Sequence, residues 1–326
     1  GDITIGDFVA FTLYLAMLTW PMIALGWVVN LFQRGAASMR RINEILETEP
    51  LIAEPADPRD PGPLRGEIEV RNVSFRYPGT DRLVLRNVSF RVPAGTTLAL
   101  VGATGSGKST LVSLLVRVYD PTEGEILLDG ARLDRIPLDR LRLETGVVPQ
   151  EAFLFSESIG ENLAVGVSTA SAGAEGRVRD AARVAQMEET ILEFPRGYDT
   201  MLGERGVNLS GGQKQRATLA RAIAKDPAVL LLDDALSAVD THTETEILRG
   251  LRAVLRERTS ILVSHRVSAV MGADLILVLE DGEVVERGRH QDLVEADGVY
   301  SNLLRRQLLE EEVGEEPVLA RPEGNI

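Results

Sequence analysis

An α/β domain behind one bilayer-length apolar helix is the fold class this sequence predicts. Three observations predict it. Residues Phe8–Phe32 contain no charged side chain. From Glu67 onward, short apolar runs of strand character alternate with stretches of helical period. Between the two lies a proline-dense segment that fits neither helix nor sheet. The 326 residues suffice for one large domain or two smaller ones. No cysteine is present, which removes disulfides and thiolate metal sites. The formal charge of −14 argues against a nucleic-acid partner, because phosphate-backbone binding needs a basic face. Of 35 basic residues only Lys108, Lys214 and Lys225 are lysines, so each of these positions stands out in an arginine-rich chain.

The N-terminal run FVAFTLYLAMLTWPMIALGWVVNLF extends ~37 Å as a helix, against about 30 Å of bilayer hydrocarbon. A signal peptide would open basic and be shorter, whereas Asp2 and Asp7 stand at this start. A buried helix of a soluble core seldom runs so long without a charge. The expectation is a membrane span with the lipid bilayer as partner, and Pro21 is tolerable inside it. Arg34, Arg40 and Arg41 follow the span and place its C-terminal side, and the domain behind it, in the cytoplasm beneath the cell membrane. A helix leading straight in from residue 1, with no initiator Met, is expected to end a longer, multi-pass protein; the alternative is a single-span protein. Met39, Ile42, Ile45 and Leu46 continue the helical spacing, giving a first unit of residues 1–48.

Prolines 50, 55, 58, 61 and 63 mark residues 49–66 as a linker. Strands are expected in GEIEVRNVSFRY and LVLRNVSFRV, then at Thr97–Val101, Glu125–Leu128, Val229–Leu232, Thr259–Val263 and Leu275–Leu279. The doubled RNVSFR reads as two similar edge strands. Residues 67–307 form the domain, and the acidic 308–326 a frayed tail.

LALVGATGSGKST carries G-x-x-x-x-G-K-[ST] from Gly102 to Ser109, between an expected strand and the helical STLVSLLVRV. Gly102, Gly105 and Gly107 let backbone N–H groups turn inward around phosphate oxygens, and the following helix directs its positive end at them. Thr104 and Thr110 fall within the same cradle. Lys108 is placed for the β- and γ-phosphates and Ser109 for Mg²⁺. An acid at the end of a neighbouring strand would complete the metal site, and Asp233 follows the apolar AVLLL.

A second helix start suited to anions lies at NLSGGQKQRATLARAIAKDP, with Ser210 as N-cap and Gly211 and Gly212 exposing N–H groups ahead of Gln213. LSGGQ is also the signature of ABC-transporter ATPases, and Glu67–Gln307 resembles that family. The resemblance implies a P-loop NTPase core with an antiparallel β subdomain and an α-helical subdomain. It gives Tyr77 to the adenine ring, Gln150 to sensing Mg²⁺ as both ligand and catalytic-site residue, Asp240 to a dimer-facing loop, and His265 to the γ-phosphate. Gly203–Gly206 resembles the exporter loop that touches the partner's membrane helices. The cofactors so implied are ATP and Mg²⁺. The implied assembly is a head-to-tail dimer, each ATP lying between the Gly102–Ser109 loop of one chain and Ser210–Gln213 of the other. The N-terminal helix resembles the last of an exporter half, so five more are expected ahead of residue 1. The transported substrate stays unknown, since one helix bearing Trp20, Met22 and Trp27 says only that its surface is apolar.

In most of the family the residue after the metal-binding Asp is Glu, the base that aligns the attacking water. Here it is Asp234, whose carboxylate is withdrawn by about 1.5 Å, one carbon–carbon bond. Misplacing a catalytic group by ~1 Å can cost about a hundredfold in rate. The chain therefore resembles the Asp-bearing half of heterodimeric multidrug-type exporters, with a Glu-bearing partner expected. Its own site is expected to bind ATP and cleave it slowly, while Ser210–Gln213 completes the partner's site. Two alternatives stand beside this: a homodimer using Asp234 as base, and a regulatory half with negligible turnover. A soluble ABC ATPase conflicts with the span and the acidic charge, and an importer ATPase with the fusion of span and domain.

Overall fold

The computed structural model describes residues 3–167, 173–206, 208–264 and 266–314. The chain divides into two compact units, residues 1–51 and 52–326. The first is essentially one helix, α1 (Ile5–Leu46), 42 residues long. Thr4 caps it: its hydroxyl accepts from the Asp7 N–H at 3.2 Å, and the Asp7 carboxylate accepts from the Thr4 N–H at 3.1 Å. Pro21 lies inside the helix. The hydroxyls of Thr12 and Thr19 donate back to the carbonyls of Phe8 and Leu15 at 2.9 and 3.0 Å, so neither needs water. The apolar side chains, Trp20 and Trp27 among them, are exposed, and the helix is long and apolar enough to cross a membrane.

The second unit holds two sheets. Its elements run β1 (Ile68–Arg76), β2 (Leu83–Val92), β3 (Thr97–Val101), α2 (Lys108–Leu115), β4 (Glu123–Leu128), β5 (Ala131–Arg132), α3 (Leu138–Glu144) and β6 (Thr145–Val148). They continue α4 (Ile159–Ala164), α5 (Ala174–Val184), α6 (Glu188–Glu193), α7 (Gly211–Ala224), β7 (Val229–Asp233), α8 (Thr241–Arg256) and β8 (Thr259–Val263). They close with α9 (Val267–Val270), β9 (Leu275–Glu280), β10 (Glu283–Gly288), α10 (His290–Glu295) and α11 (Val299–Gly314).

The smaller sheet is antiparallel, in the order β2-β1-β4-β5. Only one RNVSFR copy is therefore an edge: β2 is, whereas β1 pairs on both sides. Both copies put their Asn in the left-handed region, Asn72 at φ 49° and Asn87 at φ 47°, so the same residues produce the same kink in neighbouring strands. The larger sheet runs β10-β9-β3-β8-β7-β6, parallel except for β10. Every residue of β3, β7 and β8 is buried, as a parallel strand covered on both faces requires.

One apolar core joins the antiparallel sheet and α2 to the larger sheet; a second gathers α4, α5, α7 and α8 against β6 and β7. The proline-rich segment from residue 52 is tied down within its unit. The Asp129 carboxylate accepts from the N–H groups of Arg65, Gly66 and Glu67 at 2.7, 3.0 and 2.9 Å. Arg59 N–H donates to the Arg135 carbonyl at 2.7 Å.

Candidate functional site

In a parallel sheet, ligands gather beyond the carboxyl ends of the strands. β3, β8, β7 and β6 are consecutive neighbours, so their C-terminal ends bring residues 102, 263, 233 and 150 together across the sequence. A cavity of about 260 Å³ opens there. Thr104, Gly105, Gly107, Lys108, Ser109 and Thr110 line one wall, and Gln150, Asp233 and Asp234 the other. Val84 from β2 and Val263 from β8 complete the lining.

The loop turns where Gly107, at φ 101°, opens α2. A Cβ at that position would sit 2.7 Å from Leu85 Cδ2 in the core and in a backbone region L-residues avoid, so only glycine fits. No side chain caps α2, which leaves its first N–H groups to the cavity. Lys108 is buried, and its ammonium donates to the carbonyls of Gly102 and Ala103 at 2.9 and 2.8 Å and to Ser106 Oγ at 3.4 Å. Burial pushes the Lys108 ammonium below its ordinary value; the charges of Asp233 and Asp234 act in the opposite direction.

Asp233 ends β7 buried, in register with Val263. Asp234 turns off the strand at φ 50°, its N–H donating to the Val263 carbonyl at 2.9 Å and its own carbonyl accepting from Ser237 N–H at 3.2 Å. Asp is among the few side chains that tolerate this region, and Asp129, Asp226, Asp281 and Asp297 adopt it too. The left-handed turn at Asp234 is thus ordinary turn chemistry, and it leaves Asp234 in the lining of the cavity. Serine hydroxyl, amide and carboxylate oxygens are the hard donors Mg²⁺ takes, so Ser109, Gln150 and Asp233 fit the ion, with too few carboxylates to enclose it without substrate oxygens.

Other expected residues lie elsewhere. Gly102 is buried at the end of β3, behind the lining, its carbonyl on Lys108. Tyr77 is half-buried among Phe75 and Tyr119, with ring centroids 5.0 and 5.4 Å away. It reaches the site through one hydrogen bond, Tyr77 OH to Thr110 Oγ1 at 2.9 Å. Ser210, Gly211, Gly212 and Gln213 start α7 away from the cavity lining, and Ser210 and Gln213 close a reciprocal cap at 2.9 and 3.2 Å. Asp240 caps α8 by accepting from Thr243 N–H at 3.0 Å. Gly203–Gly206 ends in a single 3₁₀ turn. His265 lies outside the described residues. Val84 and Val263 went unmarked in the sequence, because an apolar strand residue carries no chemical signal; only the strand-end rule singles out Val263.

The ABC transporter family profile matches residues 85–237. The chain is 42% identical over 317 residues to the multidrug resistance-like ATP-binding protein MdlA of Escherichia coli, covering 97% of this chain and 53% of that protein. It is 43% identical over 303 residues to the ATP-dependent lipid A-core flippase of Pseudomonas fluorescens, covering 93% and 50%. Among solved structures, a bacterial Atm1-family ABC exporter with ATP bound superposes with a TM-score of 0.79 at 41% identity, over 94% of this chain and 54% of that one. The chain thus spans about half the length of the curated relatives it matches. Phosphate-loop cavity, α7 signature, bilayer-length apolar α1 and these likenesses agree: the chain belongs to the ABC transporter family.

Proposed function

We propose that the chain is part of an ABC exporter subunit that binds ATP with Mg²⁺ and couples its hydrolysis to export across the membrane. The observation that carries this reading is the single cavity joining Lys108, Ser109, Gln150, Asp233 and Asp234 at the carboxyl ends of adjacent parallel strands. The uncapped start of α2 and the loop N–H groups suit a phosphate chain. Lys108 exchanges the Gly102 and Ala103 carbonyls for phosphate oxygens. Ser109, Gln150 and Asp233 hold Mg²⁺, which when bound neutralises phosphate charge. Tyr77, beside Thr110, takes the base end of the nucleotide, and His265 the γ-phosphate.

The Ser210–Gln213 start of α7 is away from this chain's cavity, and Ser210 and Gly211 are exposed. That supports a second nucleotide domain receiving it, in a dimer whose two sites are shared. Asp234 supports unequal sites: the local one holds ATP and turns over slowly, and a Glu-bearing half carries the faster one.

ATP turnover of the assembled exporter tests this. Asp234→Asn is expected to leave turnover within about twofold of wild type, and Asp234→Glu to raise the local rate by about tenfold or more. If Asp234→Asn abolishes transport as thoroughly as loss of the partner's glutamate, the two sites are equal and Asp234 is a working base, as in a homodimer.

A further inference from the structure

Gln215 belongs to no part of the site described above, yet it is buried on α7 at 4% exposure, where an amide must find partners. It finds two on the segment that leaves β7. Its Oε1 accepts from Ala238 N–H at 2.8 Å and its Nε2 donates to Ser237 Oγ at 2.9 Å. Ser237 N–H in turn donates to the Asp234 carbonyl at 3.2 Å, closing the turn that carries the Asp234 carboxylate.

The same segment is gripped by the first residues of α7. A Cβ on Gly212 would lie 2.7 Å from the Ala238 carbonyl oxygen, and one on Gly211 3.7 Å from Ala238 Cβ. Glycine at 212 therefore lets the α7 backbone close on Ala238, and Gln215 fixes that approach in one register. Downstream, the segment ends at Asp240, the N-cap of α8. Residues 234–240 thus connect Asp234 at the chain's own cavity to the Ser210–Gln213 cap.

We infer that Gln215 is a positioning residue that makes the Asp234 turn and the Ser210–Gln213 helix start move as one body. The inference rests on the proposed function, in which those two ends serve different nucleotide sites. The state of one site then reaches the other through the Ala238 backbone, with no movement of the larger sheet required.

The test is ATP turnover of the chain assembled with its partner half, in wild type, Gln215→Met, Ser237→Ala and the double variant, with folding checked by thermal denaturation. Methionine keeps the volume and removes both hydrogen bonds. Gln215→Met is expected to lower kcat by about tenfold or more, with KM for ATP within about twofold. Ser237→Ala removes one bond from an exposed residue, so it is expected to lower kcat less and to add nothing to Gln215→Met. Wild-type kcat in a folded Gln215→Met protein overturns the inference, as does a rise in KM without loss of kcat, or multiplicative effects in the double variant. If wild type itself neither binds nor hydrolyses ATP, the proposed function fails and this inference with it.

Discussion

Lys108 carries its charge where burial opposes it, and that has a measurable consequence. The unfolded chain returns its ammonium to the ordinary 10.5, while the folded loop holds it lower. In the alkaline window below 10.5 the unfolded state therefore binds more protons than the folded one. Stability must rise with pH as the folded Lys108 loses its proton, and it levels off only above 10.5, where the unfolded chain has lost that proton too. Chemical denaturation of the nucleotide-free protein from neutral pH to that limit should show a shallower rise in Lys108→Met than in wild type. Lys225, also lowered by burial, contributes equally to both and cancels. Equal slopes would mean that the buried ammonium is not what titrates. That Lys108, Ser109, Asp233 and Asp234 would come together was legible in the sequence, from the spaced glycine loop and an apolar strand ending in acid. Gln215 was not: a glutamine two positions past Gln213 has no spacing signal, and its partners, a serine hydroxyl and a backbone N–H, lie 22 and 23 residues away.

Among the elements, α4 and α7 are joined by a polar clamp. The Arg221 guanidinium donates to the Asn162 carbonyl at 2.8 Å, to Asn162 Oδ1 at 2.7 Å and to the Phe153 carbonyl at 2.8 Å. Asn162 is fully buried, and its side chain also serves Phe155 N–H at 2.8 Å and the carbonyls of Phe155 and Ser158, each at 3.0 Å. Replacing it by alanine strands several buried groups together. Asn162→Ala should destabilise the domain by about 3 kcal/mol, read as a lower urea midpoint at unchanged slope. A loss below about 1 kcal/mol would show that water replaces the clamp. Two fully buried strands were readable to the residue, Thr97–Val101 and Thr259–Val263, and Val229–Asp233 to within one. β6, β10 and the two-residue β5 carry no such signal. TGVV follows directly on α3 without a turn signal, and EVVERG alternates at an edge where charge is as frequent as apolarity. The sequence presents both RNVSFR copies as edges, because an alternating strand with one solvated face looks the same wherever it pairs.

At the scale of the whole molecule, the chain presents a phosphate-loop cavity on one set of strand ends and a capped helix start elsewhere on the same unit. In the proposed function the two belong to different nucleotide sites, each completed by a second nucleotide domain. The apolar α1 was legible from its length and lack of charge; the docking of the proline-rich segment through Asp129 was not, because proline density signals only where regular structure stops. The most direct measurement is equilibrium binding of a fluorescent ATP analogue with Mg²⁺ to the purified chain in detergent, in wild type, Lys108→Ala and Ser210→Ala. The account predicts binding to wild type, a loss of affinity of about tenfold or more in Lys108→Ala, and a change within about twofold in Ser210→Ala, since Ser210 serves the other site. Wild-type affinity in Lys108→Ala, or an equal loss in Ser210→Ala, would contradict it.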